Sequence, residues 1–208
     1  LIKIWNQRIL TFYGKITLVN SHLVSQLVYK LSMLPSPTSE FTLMIQDKLF
    51  QFLWHGRRPK IRKDVLYGKY ENGGIRMVNL INKCKSLKVA WVPRILKSVQ
   101  SAGKLHVYLN SLISPFDLSI VFSSNFKIHD IPIIFPKLTS QFWFQVFEAW
   151  SECTYHNPKS KREILDESLW LNSHIRIDRV PVYWPNLISK NVLKIKDLLN
   201  DNLQFYSY

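Results

Sequence analysis

Between Gly14 and Leu34 the apolar positions fall at 16, 19, 23, 27, 31 and 34. That three-to-four-residue interval is one face of a helix, with Asn20, Gln26 and Lys30 on other faces. Pro35 and Pro37 stop the pattern because proline cannot continue the hydrogen-bond ladder. Ser36-Pro37 then opens a second helix, with Glu40 in its first turn and Phe41, Ile45, Leu49, Phe52 and Leu53 on its apolar face as far as Trp54. Gly56 and Pro59 break the chain into an exposed loop. Val65-Leu66-Tyr67 reads as a short strand, ENGGI (71–75) as a turn, and Asn79 as the cap of a third helix carrying Leu80, Cys84, Leu87, Trp91 and Ile95. Pro93 predicts a kink or an early end to that helix. Residues 101–140 lack a helical period and read as an irregular connector with short extended pieces. Helical patterns return near Ser140 (QFWFQVFEAW), over Lys159–Trp170 and from Ser189 to Leu199, with PVYWP as an extended turn. The expectation is a mainly α protein with minor β. A helical bundle spans 1–100 around Ile16, Leu23, Leu27, Phe41, Ile45, Leu49, Phe52, Leu87 and Trp91. A connector over 101–140 and a C-terminal helical segment over 141–208 follow.

Charge changes this picture. The 208 residues carry a formal net charge of +14, and residues 1–100 hold 17 Lys/Arg against 4 Asp/Glu while residues 101–208 hold 11 against 10. Excess positive charge concentrated in one half points to a polyanionic partner, nucleic acid before an anionic membrane surface. No apolar run reaches the roughly 18 residues that span a bilayer, and no membrane association is expected. Cys84 and Cys153 belong to no CxxC or Cys/His cluster. Neither a zinc site nor a disulfide framework is expected, and a reducing intracellular compartment, cytoplasm or nucleus, follows. No metal or other cofactor is implied. The chain opens at Leu1 inside an amphipathic segment, which reads as a piece of something longer.

The candidate chemistry gathers at FLWHGRRPKIRK (52–63), where an apolar helix end meets five cations. Arg57, Arg58, Lys60, Arg62 and Lys63 are candidate phosphate contacts, since arginine can bridge phosphate oxygens with two parallel bonds. The alternative is a solvated charge run. Trp54 could stack on a base but closes an apolar face, so core is favoured. Lys15 and Asn20 lie off the apolar stripe and could touch a duplex backbone, and Arg76, Lys83, Lys85 and Lys88 could extend the basic face. Trp91, Trp143, Trp150, Trp170 and Trp184 read as core. The Asp166-Glu167 pair has no second acidic cluster to make it a catalytic or metal site.

Taken in order, LTFYGKITLVNSHLVSQLVYKLSMLP, FLWHGRRPKI, ENGGIRMVNL and a tryptophan-bearing helix, then ESLWLNSHIRI and YWPNLISKNVLKIKDLL, resemble a known region. It is the stretch just after the polymerase core in reverse transcriptases of non-LTR (long interspersed element type) retrotransposons. The likeness covers about residues 5–200 and is weakest over 101–140. It implies a thumb: a helical bundle beside the primer–template duplex, an RNA–DNA hybrid or duplex DNA, with the polymerase palm and fingers as further partners in a complete protein. Pro93 departs from the usual run of the tryptophan-bearing helix. Polymerisation in that family needs paired aspartates, in an ADD sequence, to hold two metal ions, and this chain contains no adjacent Asp-Asp. The expectation is a non-catalytic, nucleic-acid-binding fragment. A stand-alone nucleic-acid-binding module and a basic membrane- or protein-interaction module are the alternatives.

Overall fold

A computed structural model describes residues 2–100, 103–200 and 204. It is mainly helical and divides into two compact units, 1–88 and 89–208.

The first unit begins with α1 (Ile2–Asn6) and α2 (Phe12–Leu18), the latter capped by the Thr11 hydroxyl, which accepts from Gly14 N–H at 3.1 Å. The expected long helix then widens into a π turn over Val19–Leu23, closed by Val24 N–H to the Val19 carbonyl, before resuming as α3 (Ser25–Met33). Such turns place a side chain where a regular helix could not, and here that side chain is Asn20. Helix α4 (Ser39–Trp54) starts two residues later than expected because Thr38, not Ser36, accepts the free Phe41 N–H. It ends where His55 and Gly56 turn left-handed at φ 49° and 73°, returning two N–H groups to the Gln51 carbonyl. The expected strand at 65–67 is instead α5 (Lys63–Tyr67), whose Leu66 faces the core. A two-sided ladder needs a partner strand, and Val65 and Leu66 give their carbonyls to Ile75 and Met77 of the returning chain. The double glycine of ENGGI has two separate jobs. Gly73 holds φ 71°, while a Cβ on Gly74 would lie 2.1 Å from the carbonyl carbon of Gly68. Helix α6 (Leu80–Val89) starts with the Asn79 cap, as the sequence predicts.

The core of this unit gathers Ile16, Val19, Leu23, Leu49, Phe52, Leu53, Leu66, Met77 and Leu80. Phe41, expected there, is 49% exposed. Trp91 packs in the core of the second unit instead. The chain leaves helical geometry at Ala90 and α7 begins at Trp91. Pro93 is then in a first turn, where its missing N–H has no partner to lose.

In the second unit, α7 (Trp91–Gln100) is followed by α8 (Lys104–Ile113), α9 (Leu118–Ser123) and α10 (Ile131–Ile134). The expected irregular connector at 101–140 is therefore largely helical, although 101 and 102 lie outside the described residues. Asp117 caps α9 through the N–H groups of Ser119 and Ile120. Helix α11 (Gln141–Thr154) lays Trp143, Val146 and Phe147 against Ile95, Leu109, Leu118 and Phe135. Helix α12 (Lys161–Asp166) is shorter than the sequence predicts. A two-residue hairpin joins β1 (Arg176–Ile177) to β2 (Val180–Pro181) through Asp178 and Arg179, both at positive φ. Among the described residues of the tail, the helical pieces are α13 (Pro185–Ile188) and a 3-10 turn at Ile195–Leu198. Trp170 is fully buried and donates its indole N–H to the Val192 carbonyl, whereas Trp184 is 51% exposed, against expectation. Among the described residues no helix is long and apolar enough to cross a membrane.

Candidate nucleic-acid interface

The basic loop hangs from the end of α4 and is pinned at both ends. Its start is fixed by the His55-Gly56 turn and by Arg57 N–H bonding to the Trp54 carbonyl. Its far end is held by Ile61, which packs half-buried against the first unit's core, and by α5. Arg57, Arg58 and Lys60 are exposed between these anchors.

The five cations are not equivalent. Arg62 makes a two-pronged bond to Asp64, at 3.2 and 2.9 Å. Lys63 stands 3.9 Å from Asp47 and over the Phe50 ring. Arg76 bonds Glu71 at 2.7 Å and lies over Tyr70. Residues 1–88 contain only four carboxylates, Glu40, Asp47, Asp64 and Glu71, against 15 Lys/Arg. Three of the four are thus engaged by Arg62, Lys63 and Arg76. Among the described residues no carboxylate pairs with Arg57, Arg58 or Lys60.

Lys15 is not a surface contact. It is 3% exposed, and its ammonium donates to the carbonyls of Phe52 and Leu53 at 3.3 and 3.2 Å. Those are carbonyls in the last turn of α4, Phe52's shared with the His55 N–H at 3.5 Å, where a cation also meets the negative end of the helix dipole. Burial pulls its pKa below the ordinary lysine value. Lys15 therefore braces the helix end from which the basic loop leaves. Lys88 does the same for α3: it is 1% exposed and donates to the Leu31 and Leu34 carbonyls. Burial lowers its pKa to about 8, opposed by the neighbouring Cys84, and burial pushes the Cys84 thiol up. Both lysines have a signal in the sequence. Lys15, expected off the stripe, in fact extends Val19 and Leu23 at i+4 spacing, and Lys88 extends Leu80 and Cys84. A lysine inside an apolar stripe marks a snorkelling or buried cation.

Asn20 is likewise structural. Its amide donates to the Arg76 carbonyl at 2.9 Å and accepts from Val78 N–H at 3.0 Å. Buried Gln46 takes Leu80 N–H at 2.9 Å. Together they clamp IRMVN between the π turn and α4. The signal for this pair, two amides facing one extended segment, is not visible without the fold. Trp54 is half-buried, with its ring 5.1 Å from that of Phe12, consistent with core. Lys83 lies near the surface of α6 and Lys85 is exposed.

Among the described residues no three His, Cys, Asp or Glu side chains gather as a metal site. No family model matches the sequence, and no solved structure matches the fold.

Proposed function

We propose that the chain is a nucleic-acid-binding fragment related to the thumb of non-LTR retrotransposon reverse transcriptases, holding an RNA–DNA hybrid or duplex DNA by its phosphates and acting inside the cell. The observation that carries this reading is the trio Arg57, Arg58 and Lys60: exposed, held on an anchored loop, and without carboxylate partners among the described residues. Cations held in place bind phosphate by releasing condensed counterions and read no base sequence. Support for the reverse transcriptase relationship comes from the order of the FLWHGRRPKI and ENGGIRMVNL segments. The absence of an Asp-Asp pair supports binding without polymerisation. In a complete protein the palm's paired aspartates would hold the catalytic metals.

The test replaces Arg57, Arg58 and Lys60 with glutamine and measures affinity for two unrelated duplexes and one RNA–DNA hybrid across a salt series. Each cation–phosphate interaction removed should flatten the slope of log K against log salt by roughly 0.9 on B-form DNA. A flattening of two to three such steps, equal for the two duplexes, is the expected result. An unchanged slope in a variant with native circular dichroism would reject the reading. Primer extension on an RNA template should stay at the level of a boiled control.

A further inference from the structure

The helix pair α3–α4 leaves an apolar face uncovered. Leu34 and Phe41, on either side of the proline corner, are 56% and 49% exposed, and Tyr29, Met33, Leu43 and Met44 are exposed on the same two helices. Between the helices runs a groove. Leu27 and Ile45 are shared by two concavities along it, of about 910 and about 300 Å³. The smaller one is lined by Leu31, Leu34 and Phe41 and is almost wholly apolar. An apolar concavity bordered by exposed apolar side chains such as Leu34 and Phe41 marks a binding face.

The rim identifies the occupant. Lys48 lines the larger concavity and Lys30 the smaller, and among the described residues neither has a carboxylate within ion-pair distance. We propose that this groove docks an amphipathic helix that carries glutamate or aspartate beside its apolar stripe. A trough between two helices accepts side chains at i, i+3, i+4 and i+7, and the two unpaired lysines complement acidic flanks. A second copy of this chain would bring a net charge of +14 against a unit already rich in cations. Nucleic acid suits the floor no better, because an apolar trough offers nothing to phosphates. This reading does not depend on nucleic-acid binding by the 57–60 loop.

The experiment uses the whole chain and three fluorescent helical peptides of about five turns. One has a leucine stripe flanked by glutamate, the second carries lysine in place of each glutamate, and the third carries serine in place of each leucine. Anisotropy at fixed salt should show saturable binding of the first, with the second at least about tenfold weaker and the third not bound. Lys30→Glu with Lys48→Glu should reverse the order of the first two. Leu34→Ser with Phe41→Ser, both on the surface, should abolish binding without changing circular dichroism. Retained binding in that apolar variant would mean that charge elsewhere captures the peptide, and would overturn the proposal. Equal binding of the glutamate and lysine peptides would do the same. So would a dimer, or attachment to vesicles containing anionic lipid, that is lost with the same two substitutions, since either would place a different occupant in the groove.

Discussion

The two units bury charge in opposite ways. In the first, among the described residues, the buried charges are lysines: Lys15 and Lys88 sit on the C-terminal carbonyls of α4 and α3. In the second, they are carboxylates. Asp130, fully buried, accepts from Arg176 at 2.9 Å on both oxygens and from the Ser173 hydroxyl. Glu167, 5% exposed, accepts from the Asn125 and Asn172 amides at 2.9 and 2.8 Å, with His156 Nε2 at 3.4 Å. The difference follows from composition. A unit with four carboxylates cannot spare one for its interior, so it satisfies buried ammonium groups with helix dipoles. The second unit, with 13 Lys/Arg against 10 Asp/Glu, is nearly balanced and satisfies its buried anions locally. Positive charge at the surface of the first unit is therefore left without internal neutralisation, and that makes it available to a partner.

The largest effect should come from the second unit's buried acid. Asp130→Ala leaves the Arg176 guanidinium, 28% exposed, without its carboxylate, and breaking a buried pair costs about 3–5 kcal/mol. The low end is expected because Arg176 can reach water. Urea unfolding followed by tryptophan fluorescence reads the change. A loss under about 1 kcal/mol would erase the contrast between the units.

Next is Gly74→Ala in the first unit. The new methyl would lie 2.1 Å from one Gly68 backbone atom and 2.3 Å from the carbonyl oxygen. Backbone cannot swing aside as a long side chain can, so a cost of roughly 3 kcal/mol is expected. Gly73→Ala meets no atoms but strains a left-handed residue at φ 71°. It should cost less, about 1–2 kcal/mol. Thermal unfolding of the two variants side by side checks the order.

These glycines show how far the sequence can be read. ENGGI announces a turn, and it is one, because glycine at positive φ is a local fact. That Gly74 is needed for the passage of Gly68 is a tertiary fact with no local trace. The same division runs through the fold. Long apolar stripes reveal α3, α4 and α11 because many turns repeat one interval. Helices α9 and α10 escape because they run six and four residues, fewer than two turns each. Helix α8 escapes because exposed Val107 and Tyr108 fill the positions between Leu105, Leu109 and Leu112 and blur its stripe. The unit boundary at Lys88 escapes because Cys84, Leu87, Trp91 and Ile95 continue one stripe straight through Ala90. At the candidate site, the loop 57–63 is legible as a run of charge. Its division into free and paired cations is not, since Asp47 lies sixteen residues before Lys63.

Lys88 carries the pH dependence. Its pKa is lowered from 10.5 to about 8 in the folded chain, mainly by burial. Between those values the unfolded chain binds the proton and the folded chain does not, so stability rises as pH increases through this window. Below it, the folded protein bears the cost of desolvating the ammonium. Relative to Lys88→Met, the wild type should gain up to about 3 kcal/mol between pH 8 and pH 10.5. Chemical denaturation of both proteins at several pH values gives the difference directly. A flat difference would mean that Lys88 keeps an ordinary pKa, and a falling one that its pKa is raised; either way the first unit's way of burying cations would fail.

The smallest effect on stability belongs to the pair that separates the free cations from the engaged ones. Arg62 and Asp64 are 84% and 62% exposed, and pairs of this kind contribute about 0–1 kcal/mol. Asp64 also stands in the first turn of α5, where a negative charge adds a few tenths of a kcal/mol. Asp64→Asn should therefore lower stability by less than about 1 kcal/mol. Its effect on binding should have the opposite sign. Without the carboxylate, the Arg62 fork is free for phosphate, so duplex affinity should rise and the salt slope should steepen by up to roughly 0.9. Asp47→Asn should do the same for Lys63, more weakly, because 3.9 Å is the looser pair. If neither substitution steepens the slope while the Arg57, Arg58 and Lys60 replacements flatten it, phosphate binding ends at Lys60, because Ile61, packed half-buried against the core, turns the following residues away from the duplex.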